Sequence, residues 1–200
     1  IKKIIFSSSS EIYGEPEKIP IKETDRVTPI TTYGISKLMA EEYIKSYSRA
    51  YGIRYTIFRL FNVYGEEQAT KWVVPEFVKK IVNGEEVTIH GDGNQIRAFC
   101  HVSDIANAFE IALTKGDDEI FNIGNNLEPI SIKDLANKII TLSKSNSQIA
   151  FISFDNSSRN RREIINRAPD ISKATEILGY KPKITLDDGL TKVITKHSKS

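Results

Sequence analysis

Two patterns of apolar and polar residues alternate along this chain. Short apolar or β-branched runs predict strands, and longer segments with apolar residues about every 3.6 positions predict helices. Strands are predicted at Ile4–Phe6, Ile53–Leu60, Val87–Ile89, Glu119–Ile123 and Ile149–Ile152. Helices are predicted at Tyr33–Tyr51, Val73–Val82, Ser103–Thr114, Ser131–Leu142, Ser172–Leu178 and Leu186–Thr195. Strands that alternate with helices over short connections indicate an α/β fold with a parallel sheet.

Glycine and serine residues mark where several of these elements begin and end. Gly52 is predicted to stop the first helix, and Ser103 and Ser131 are predicted to cap the third and fourth. Four serines, Ser7–Ser10, follow the first apolar run and predict a polar loop after that strand. Taken alone, such a serine run is typical of a solvated loop.

Composition and charge narrow the class of protein. The 200 residues are 40% hydrophobic and 27% charged, which is typical of a soluble domain able to bury a core. Lys+Arg 28 against Asp+Glu 26 leaves a formal charge of +2, so we expect neither a nucleic-acid surface nor a membrane surface. The single cysteine, Cys100, cannot form an internal disulfide, which favours a reducing, cytoplasmic location.

The segment from Tyr33 to Lys37 is the first candidate for chemistry. Residues four apart share one face of a helix, so this phenol and this ammonium group can reach the same ligand. A nearby cation stabilises a phenolate, and such a tyrosine can act as a general base at neutral pH. Ser9 follows the first predicted strand, and open α/β sheets bind their ligands at the carboxyl ends of strands. The three side chains therefore predict one site at that edge.

Five motifs occur in a fixed order along the chain. They are SSSSEIYG from Ser7, TPITTYGISK from Thr28, RLFNVYG from Arg59, HGDGNQIRAFCHVSDIA from His90 and FNIGN from Phe121. Together they resemble the extended short-chain dehydrogenase/reductase family, and within it the NAD-dependent nucleotide-sugar epimerases, 4,6-dehydratases and decarboxylases. The resemblance covers essentially the whole chain. It implies the C-terminal part of a Rossmann-type doubly wound parallel sheet with a smaller α/β substrate-binding domain.

The resemblance implies catalytic roles for the three side chains. Ser9 would hydrogen-bond the reacting sugar hydroxyl, Tyr33 would remove its proton, and Lys37 would hold the nicotinamide ribose and favour the phenolate. The implied reaction starts with hydride transfer from the sugar to NAD, and an epimerase then returns the hydride to the other face of the ring. A dehydratase or decarboxylase does further chemistry first.

The same resemblance implies a set of binding residues. Phe61 and Val63 would lie near the cofactor, and Ser10 and Asn62 would contact the substrate. Arg97 would grip the nucleotide diphosphate, because a planar guanidinium can bind two phosphate oxygens at once. The alternatives are a loop residue capping its own backbone for Asn62 and an ordinary surface position for Arg97.

A late arginine-rich loop is the densest basic cluster of the chain, with Arg159, Arg161, Arg162 and Arg167. The resemblance implies that an arginine of this loop closes over the nucleotide end of the substrate. Arg167, three residues before Asp170, best resembles the arginine that reaches the active site in the decarboxylase branch. A solvated charge run is the alternative.

Glu11 is expected to separate the reaction types. Dehydratases and decarboxylases of the family typically carry an acidic residue at this position, whereas the serine at Ser9 is typical of epimerases. We therefore expect an epimerase of the UDP-glucose 4-epimerase type, with a 4,6-dehydratase or a UDP-glucuronate decarboxylase as the alternative. Glu11 could also be a loop carboxylate without a catalytic role. A module of a different class, which binds sugar nucleotides without catalysis, is a further alternative.

The family's glycine-rich turn, which cradles the cofactor pyrophosphate, has no counterpart in the chain. We therefore expect the front of the cofactor-binding domain to be missing, and NADP stays open beside NAD because the residue that reads the ribose belongs to that part. Residues 1–66, with 98–123 returning, are expected to form the C-terminal portion of the NAD-binding Rossmann domain. Residues 67–97 and 124–200 are expected to form the nucleotide-sugar-binding domain.

The remaining expectations concern metals and assembly. Three scattered histidines and Cys100 lack metal-ligand spacing, so we expect no metal site and structural roles for Cys100 and His101. The resemblance implies a homodimer of the full-length protein, formed through the helix that carries the tyrosine and lysine. We expect an apolar outer face on that helix around Leu38, Tyr43 and Tyr47.

Overall fold

The helices and strands follow the predicted alternation in a computed structural model that describes residues 1–153 and 164–198. The helices are α1 (Thr32–Tyr51), α2 (Val73–Val82), α3 (Val102–Ala112), α4 (Ile132–Ser143) and α5 (Leu186–His197). The strands are β1 (Lys3–Ser9), β2 (Arg54–Leu60), β3 (Val63–Tyr64), β4 (Val87–His90), β5 (Ile96–Ala98), β6 (Cys100–His101), β7 (Glu119–Ile123), β8 (Pro129–Ser131), β9 (Ile149–Ile152) and β10 (Asn166–Arg167). A 3₁₀ turn covers Ser10–Tyr13 and a π-helical turn covers Ala174–Leu178.

A parallel sheet in the order β1-β2-β7 forms the centre of the fold. Ser9 pairs with Leu60 and Leu60 pairs with Ile123, so the carboxyl ends of the three strands are level. Helix α1 connects β1 to β2, and α3 lies between β2 and β7 along the chain. Parallel strands joined by helices confirm the α/β prediction.

Two larger hydrophobic cores lie on different parts of the molecule. The first packs α2, α4 and α5 together with β4; in α2 the buried side chains recur at three- and four-residue intervals, which gives the helix one apolar face. Its α2 members are Val74, Phe77, Val78 and Ile81. The second core packs α3 and the segment from Ile171 to Tyr180 with Phe58 and Phe121 of the sheet. The proposed division into two domains stays a prediction.

Small strand pairs outside the central sheet bring distant segments together. Strand β5 pairs in parallel with β10 and antiparallel with β8, so Arg97 is the direct neighbour of Arg167 across the pair. Strand β4 pairs in parallel with β9. These pairings join residues that are between 31 and 70 positions apart in the chain, and no local pattern in the sequence predicts them.

The serine run was wrongly predicted to be a loop. Strand β1 continues through Ser9, and Ser8, Ser9 and Ser10 are buried. The strand persists because its backbone pairs with β2 over all seven residues. Burial of the polar Ser8 is possible because its hydroxyl donates to the carboxylate of Glu41 in α1. That partner lies 33 residues away, so the local sequence could not reveal it.

Two further expectations about α1 and α3 need correction. The N-cap of α3 is His101 rather than Ser103: the His101 ring Nδ1 accepts from the Ser103 backbone N–H at 3.2 Å. Leu38 is half-buried against the small core of Ile12, Tyr13, Ile21 and Phe61, and so is not part of an exposed face.

The predicted stop at Gly52 and the predicted cap at Ser131 are confirmed. Gly52 has a φ of 67°, and the Ser131 hydroxyl accepts from the Asp134 N–H at 3.0 Å.

In the described part of the chain, no helix is both long enough and apolar enough to cross a membrane.

Candidate active site

A cleft of about 570 Å³, called the first cleft below, opens at the carboxyl ends of β1 and β2. This is the sheet edge where α/β folds bind their ligands. Its walls come from β1 and the following turn, the start of α1, the β2–β3 connection and the start of α2. The lining residues that the sequence singled out are Ser9, Ser10, Glu11, Tyr33, Asn62, Val63 and Arg167.

The start of α1 is capped, and Gly34 and Lys37 fix it against β1 and the turn that follows β1. The Thr31 hydroxyl caps the helix by accepting from the Gly34 N–H at 2.9 Å. Gly34 packs so closely that a Cβ at this position would lie 2.8 Å from the Glu11 carbonyl oxygen, which only glycine allows. One turn further along, Lys37 Nζ donates to the Ser7 carbonyl oxygen at 2.8 Å. The helix is therefore held in register with the serine run.

Tyr33 presents its ring to the first cleft and is 51% exposed, although it sits beside these anchored residues. Lys37 Nζ lies 5.6 Å from the centre of the Tyr33 ring and 5.0 Å from the centre of the Phe6 ring. The Ser9 Oγ accepts from the Glu11 N–H at 3.2 Å, so the serine hydroxyl is oriented by the turn that follows it. The structure thus brings the three predicted side chains to one sheet edge, with the phenol still accessible.

Glu11 lies between α1 and β10. Its Oε2 accepts from the Thr31 hydroxyl at 2.8 Å, and its Oε1 lies 3.8 Å from Arg167 Nη1. The carboxylate is only partly exposed and lines both the first cleft and a neighbouring one. Glu11 is therefore a carboxylate positioned inside the site by Thr31 and Arg167, not a solvent-exposed loop carboxylate.

The β2–β3 connection places Asn62 and Val63 in the first cleft, but not Phe61. Asn62 has a φ of 27°, in the left-handed region that asparagine tolerates better than most residues. In the described part of the chain, its buried Oδ1 has no hydrogen-bond partner, as expected for a polar group that a ligand would satisfy. The Phe61 side chain is fully buried against Tyr13 and Ile12, so any contact of Phe61 with a cofactor would have to involve its backbone.

A buried polar network supports the first cleft from behind, and the sequence did not reveal it. Glu41 is 0% exposed and accepts from Arg59 Nη2 at 2.9 Å and Nε at 3.2 Å, as well as from Ser8. Arg59 Nη1 donates to the Tyr13 hydroxyl at 2.9 Å, which donates to Asn122 Oδ1 at 2.7 Å. Burial raises the pKa of Tyr13 to about 12, so it acts here as a neutral donor. The signal in the sequence that could have revealed this network is Arg59, a charged residue inside the apolar run of β2.

A second cleft of about 270 Å³ adjoins the first and shares Glu11, Asn62, Trp72, Val73 and Arg167 with it. Among the described residues, its ionic lining consists of three basic side chains, from Lys71, Arg97 and Arg167, against the carboxylate of Glu11. This excess of positive charge suits a polyanionic ligand. The neighbouring clefts could therefore bind the two ends of one molecule.

Arg97 lines the second cleft, where it is held by backbone carbonyl groups. It is 6% exposed, and its guanidinium donates to the carbonyl oxygens of Ile164 at 2.7 Å and Ile165 at 3.0 Å. It is therefore not the solvated surface arginine of the alternative interpretation. Arg159, Arg161 and Arg162 lie outside the described residues.

Cys100 and His101 contribute to packing. Burial raises the pKa of the Cys100 thiol to about 12, and its sulfur lies 3.5 Å from the Tyr180 hydroxyl. His101 is buried, caps α3, and lies 3.2 Å from a Glu66 carboxylate oxygen. Over residues 1–153 and 164–198, no group of three or more His, Cys, Asp or Glu side chains is arranged to hold a metal ion.

A parallel α/β sheet with a serine, a tyrosine and a lysine at its carboxyl edge defines the class of extended short-chain dehydrogenases/reductases. Within it, the family of NAD dependent epimerases/dehydratases matches residues 1–124, and this chain belongs to that family. The predicted resemblance is thereby confirmed.

Individual relatives and one crystal structure agree with this membership. A Methanocaldococcus jannaschii protein, assigned provisionally as a UDP-glucose 4-epimerase, is 40% identical over 97% of this chain and 62% of its own length. The UDP-N-acetyl-alpha-D-glucosaminuronate decarboxylase of Bacillus cytotoxicus is 34% identical over 96% of this chain and 63% of its own. The Thermotoga maritima UDP-glucose 4-epimerase, crystallised with UDP-glucose, superimposes with a TM-score of 0.93 at 34% identity, over 100% of this chain and 64% of its own. This chain thus spans less than two thirds of each of them.

Proposed function

We propose that this chain is the catalytic part of an NAD-dependent nucleotide-sugar epimerase of the UDP-glucose 4-epimerase type. The observation that carries the proposal is the meeting of Ser9, Tyr33 and Lys37 at one sheet edge, with Tyr33 exposed to the first cleft. The similarity to an epimerase crystallised with UDP-glucose supports it. A module that only binds sugar nucleotides would have no need to keep a phenol beside an ammonium group in an accessible cleft.

The first cleft would carry out the proton transfer. Tyr33 takes the proton from the reacting sugar hydroxyl, Ser9 hydrogen-bonds that hydroxyl, and Lys37 stabilises the phenolate by its positive charge. NAD supplies the acceptor and donor of the hydride when it is bound. The residues present fit its nicotinamide end: Val63 and Tyr33 both line the cleft, and Lys37, which donates to the cleft residue Ser7, would hold the ribose.

The second cleft would hold the nucleotide end of the substrate. Arg97 and Arg167 supply guanidinium groups to the diphosphate, which matches the positive lining of this cleft. Asn62 lies where the clefts meet, and its Oδ1 has no hydrogen-bond partner among the described residues, so its side-chain amide can turn either its oxygen or its nitrogen toward the ligand. Ser10 lines the first cleft on the sugar side.

A second function is favoured by the contact between Glu11 and Arg167. A carboxylate held 3.8 Å from a guanidinium inside the cleft is an arrangement that a 4,6-dehydratase or a UDP-glucuronate decarboxylase could use, because both need charged groups near C5 and C6 of the sugar. The similarity to a glucosaminuronate decarboxylase agrees with this alternative. An epimerase would use Glu11 only to hold Arg167 and the start of α1.

Incubation of the full-length polypeptide and NAD with UDP-glucose, UDP-N-acetylglucosamine and UDP-glucuronate separates these reactions. Epimers keep the mass of the substrate, dehydration removes one water, and decarboxylation releases carbon dioxide. We expect a product of unchanged mass, and Glu11→Gln should keep turnover within about threefold, since the amide is isosteric and no proton transfer depends on it. A product lighter by water or carbon dioxide, abolished by Glu11→Gln, would replace the epimerase by the alternative.

We also infer a cytoplasmic homodimer. The outer face of α1 carries five large apolar or aromatic side chains at four-residue spacing, and each is exposed. They are Ile35, Met39, Tyr43, Tyr47 and Tyr51. A continuous stripe of this kind is typical of a protein–protein interface. Sedimentation of the full-length polypeptide as a monomer at micromolar concentration would contradict the dimer.

A further inference from the structure

Trp72, the one tryptophan of the chain, stands at the boundary between the two clefts. It lines both of them and is nevertheless 54% exposed. A large aromatic side chain packs into a core wherever it can, because it buries more apolar area than most residues. One that is left half-exposed in the wall of a concave site is placed to contact a ligand.

The backbone around Trp72 is fixed, so the point from which the indole projects is a property of the fold. Trp72 directly precedes α2, and its carbonyl oxygen accepts the first helical hydrogen bond, from the Glu76 N–H at 2.9 Å. Val74 and Pro75, in the first turn of α2, are buried. Trp72 occupies the N-cap position without a side-chain cap, where Ser, Thr, Asp or Asn would stabilise the helix. Trp72 therefore leaves the start of α2 less stable than a capping residue would.

The charge next to the indole points to the kind of ligand. Lys71 Nζ lies 5.8 Å from the centre of the Trp72 ring, within the range of a cation–π contact. Lys71 and Arg97 line only the second cleft and Arg167 lines both, whereas Ser9 and Tyr33 line only the first. Trp72 therefore stands between a basic chamber and a chamber lined by hydroxyl groups. A sugar joined to a diphosphate has the same order of groups.

We propose that Trp72 is a substrate-contacting residue that determines specificity: its indole packs against the nucleotide sugar at the junction of sugar and diphosphate, and Lys71 beside it adds positive charge to the diphosphate site. The inference rests on the proposed function and adds a residue to it. The indole covers the apolar face of the sugar ring and excludes water from the first cleft, while the proton transfer stays with Tyr33. Loss of the indole therefore weakens binding more than it slows the chemistry.

Fluorescence of the indole provides the first test, with the full-length polypeptide, NAD and UDP-glucose. The signal of Trp72 is the difference between the unmodified protein and Trp72→Phe. We expect it to change saturably with UDP-glucose, at the same midpoint as the heat of binding measured by calorimetry, and to stay unchanged with free glucose. Calorimetric binding without any change in this difference signal would overturn the role of Trp72 and leave the proposed function intact. Absence of calorimetric binding would overturn the proposed function itself.

Steady-state kinetics provide the second test, with Phe151 and Lys133 as a matched aromatic–lysine pair outside the linings of both clefts. Phe151 is 48% exposed, and Lys133 Nζ lies 5.9 Å from its ring centre. We expect Trp72→Ala to raise KM for UDP-glucose about tenfold with kcat within about threefold, as for the loss of an aromatic binding contact. Trp72→Phe should restore most of the affinity, and Phe151→Ala should change neither constant. An unchanged KM in Trp72→Ala would overturn the proposal.

Discussion

The two clefts are built in opposite ways. The first is built mainly from segments that follow one another in the chain, with Arg167 of β10 as a distant addition. Helix α1 is tied to β1 there through Lys37 and the Ser8–Glu41 contact. The second depends on the pairing of β5 with β10, which brings Arg97 next to Arg167. Proton transfer requires reacting groups held within a fraction of an ångström, whereas a diphosphate is recognised largely through charge. The contrast supports the proposal that the first cleft carries the chemistry and the second supplies affinity.

Of the three substitutions considered, Tyr33→Phe should have the largest effect, and it should act on the chemistry of the first cleft rather than on binding. It removes the general base but keeps the ring, so we expect turnover to fall by roughly 10²–10⁴ with little change in KM for UDP-glucose. The matched control is Tyr55→Phe, in β2 and outside the linings of both clefts, which should keep normal turnover. The measurement is kcat and KM for the two variants under identical conditions. Near-normal turnover in Tyr33→Phe would end its assignment as the base.

Glu41→Gln tests whether the first cleft depends on its buried support. The change leaves the Arg59 charge buried without its carboxylate, because the Glu41 and Arg59 side chains are 0% and 5% exposed. We expect the free energy of unfolding to fall by about 3 kcal/mol, the usual scale for breaking a buried ion pair. The measurement is urea-induced unfolding, with Glu42→Gln as the control, since Glu42 pairs with Lys45 on the exposed side of α1. Equal stability of the two variants would show that the network is not needed.

Arg97→Ala should have the smallest of the three effects and should act on binding. Loss of a charge-assisted contact to the diphosphate should weaken UDP-glucose binding about tenfold and leave kcat within a few-fold. A free monosaccharide should bind as before, because it lacks the diphosphate. Arg54→Ala, which removes an exposed arginine paired with Asp117 and Asp118, is the control. An equal loss for both ligands in Arg97→Ala would indicate disturbed folding instead of a lost contact.

The difference between local and distant contacts also explains which parts of the site the sequence predicted and which it did not. Tyr33 and Lys37 share a helix and Ser9 ends the strand before it, so period and family motif together were enough to predict their meeting at one edge. The burial of Ser8 and the half-burial of Leu38 depend on tertiary partners, and a pattern limited to one element could not reveal them. Trp72 was missed for another reason: an aromatic residue before an apolar helix is ordinarily a packing residue, and only its exposure between two clefts marks it as more.

The central claim is that the first cleft epimerises a nucleotide sugar at C4. Its most direct test uses UDP-glucose that carries deuterium at C4. An epimerase removes this hydrogen as a hydride and returns the same one to the other face of the ring. With the full-length polypeptide and NAD in ordinary water, we expect the C4 epimer of the substrate, with unchanged mass and the deuterium still at C4. Tyr33→Phe should form the same product at roughly 10²–10⁴ lower rate. Deuterium lost to solvent or moved to another carbon, or a product lighter by one water, would contradict epimerisation at this site.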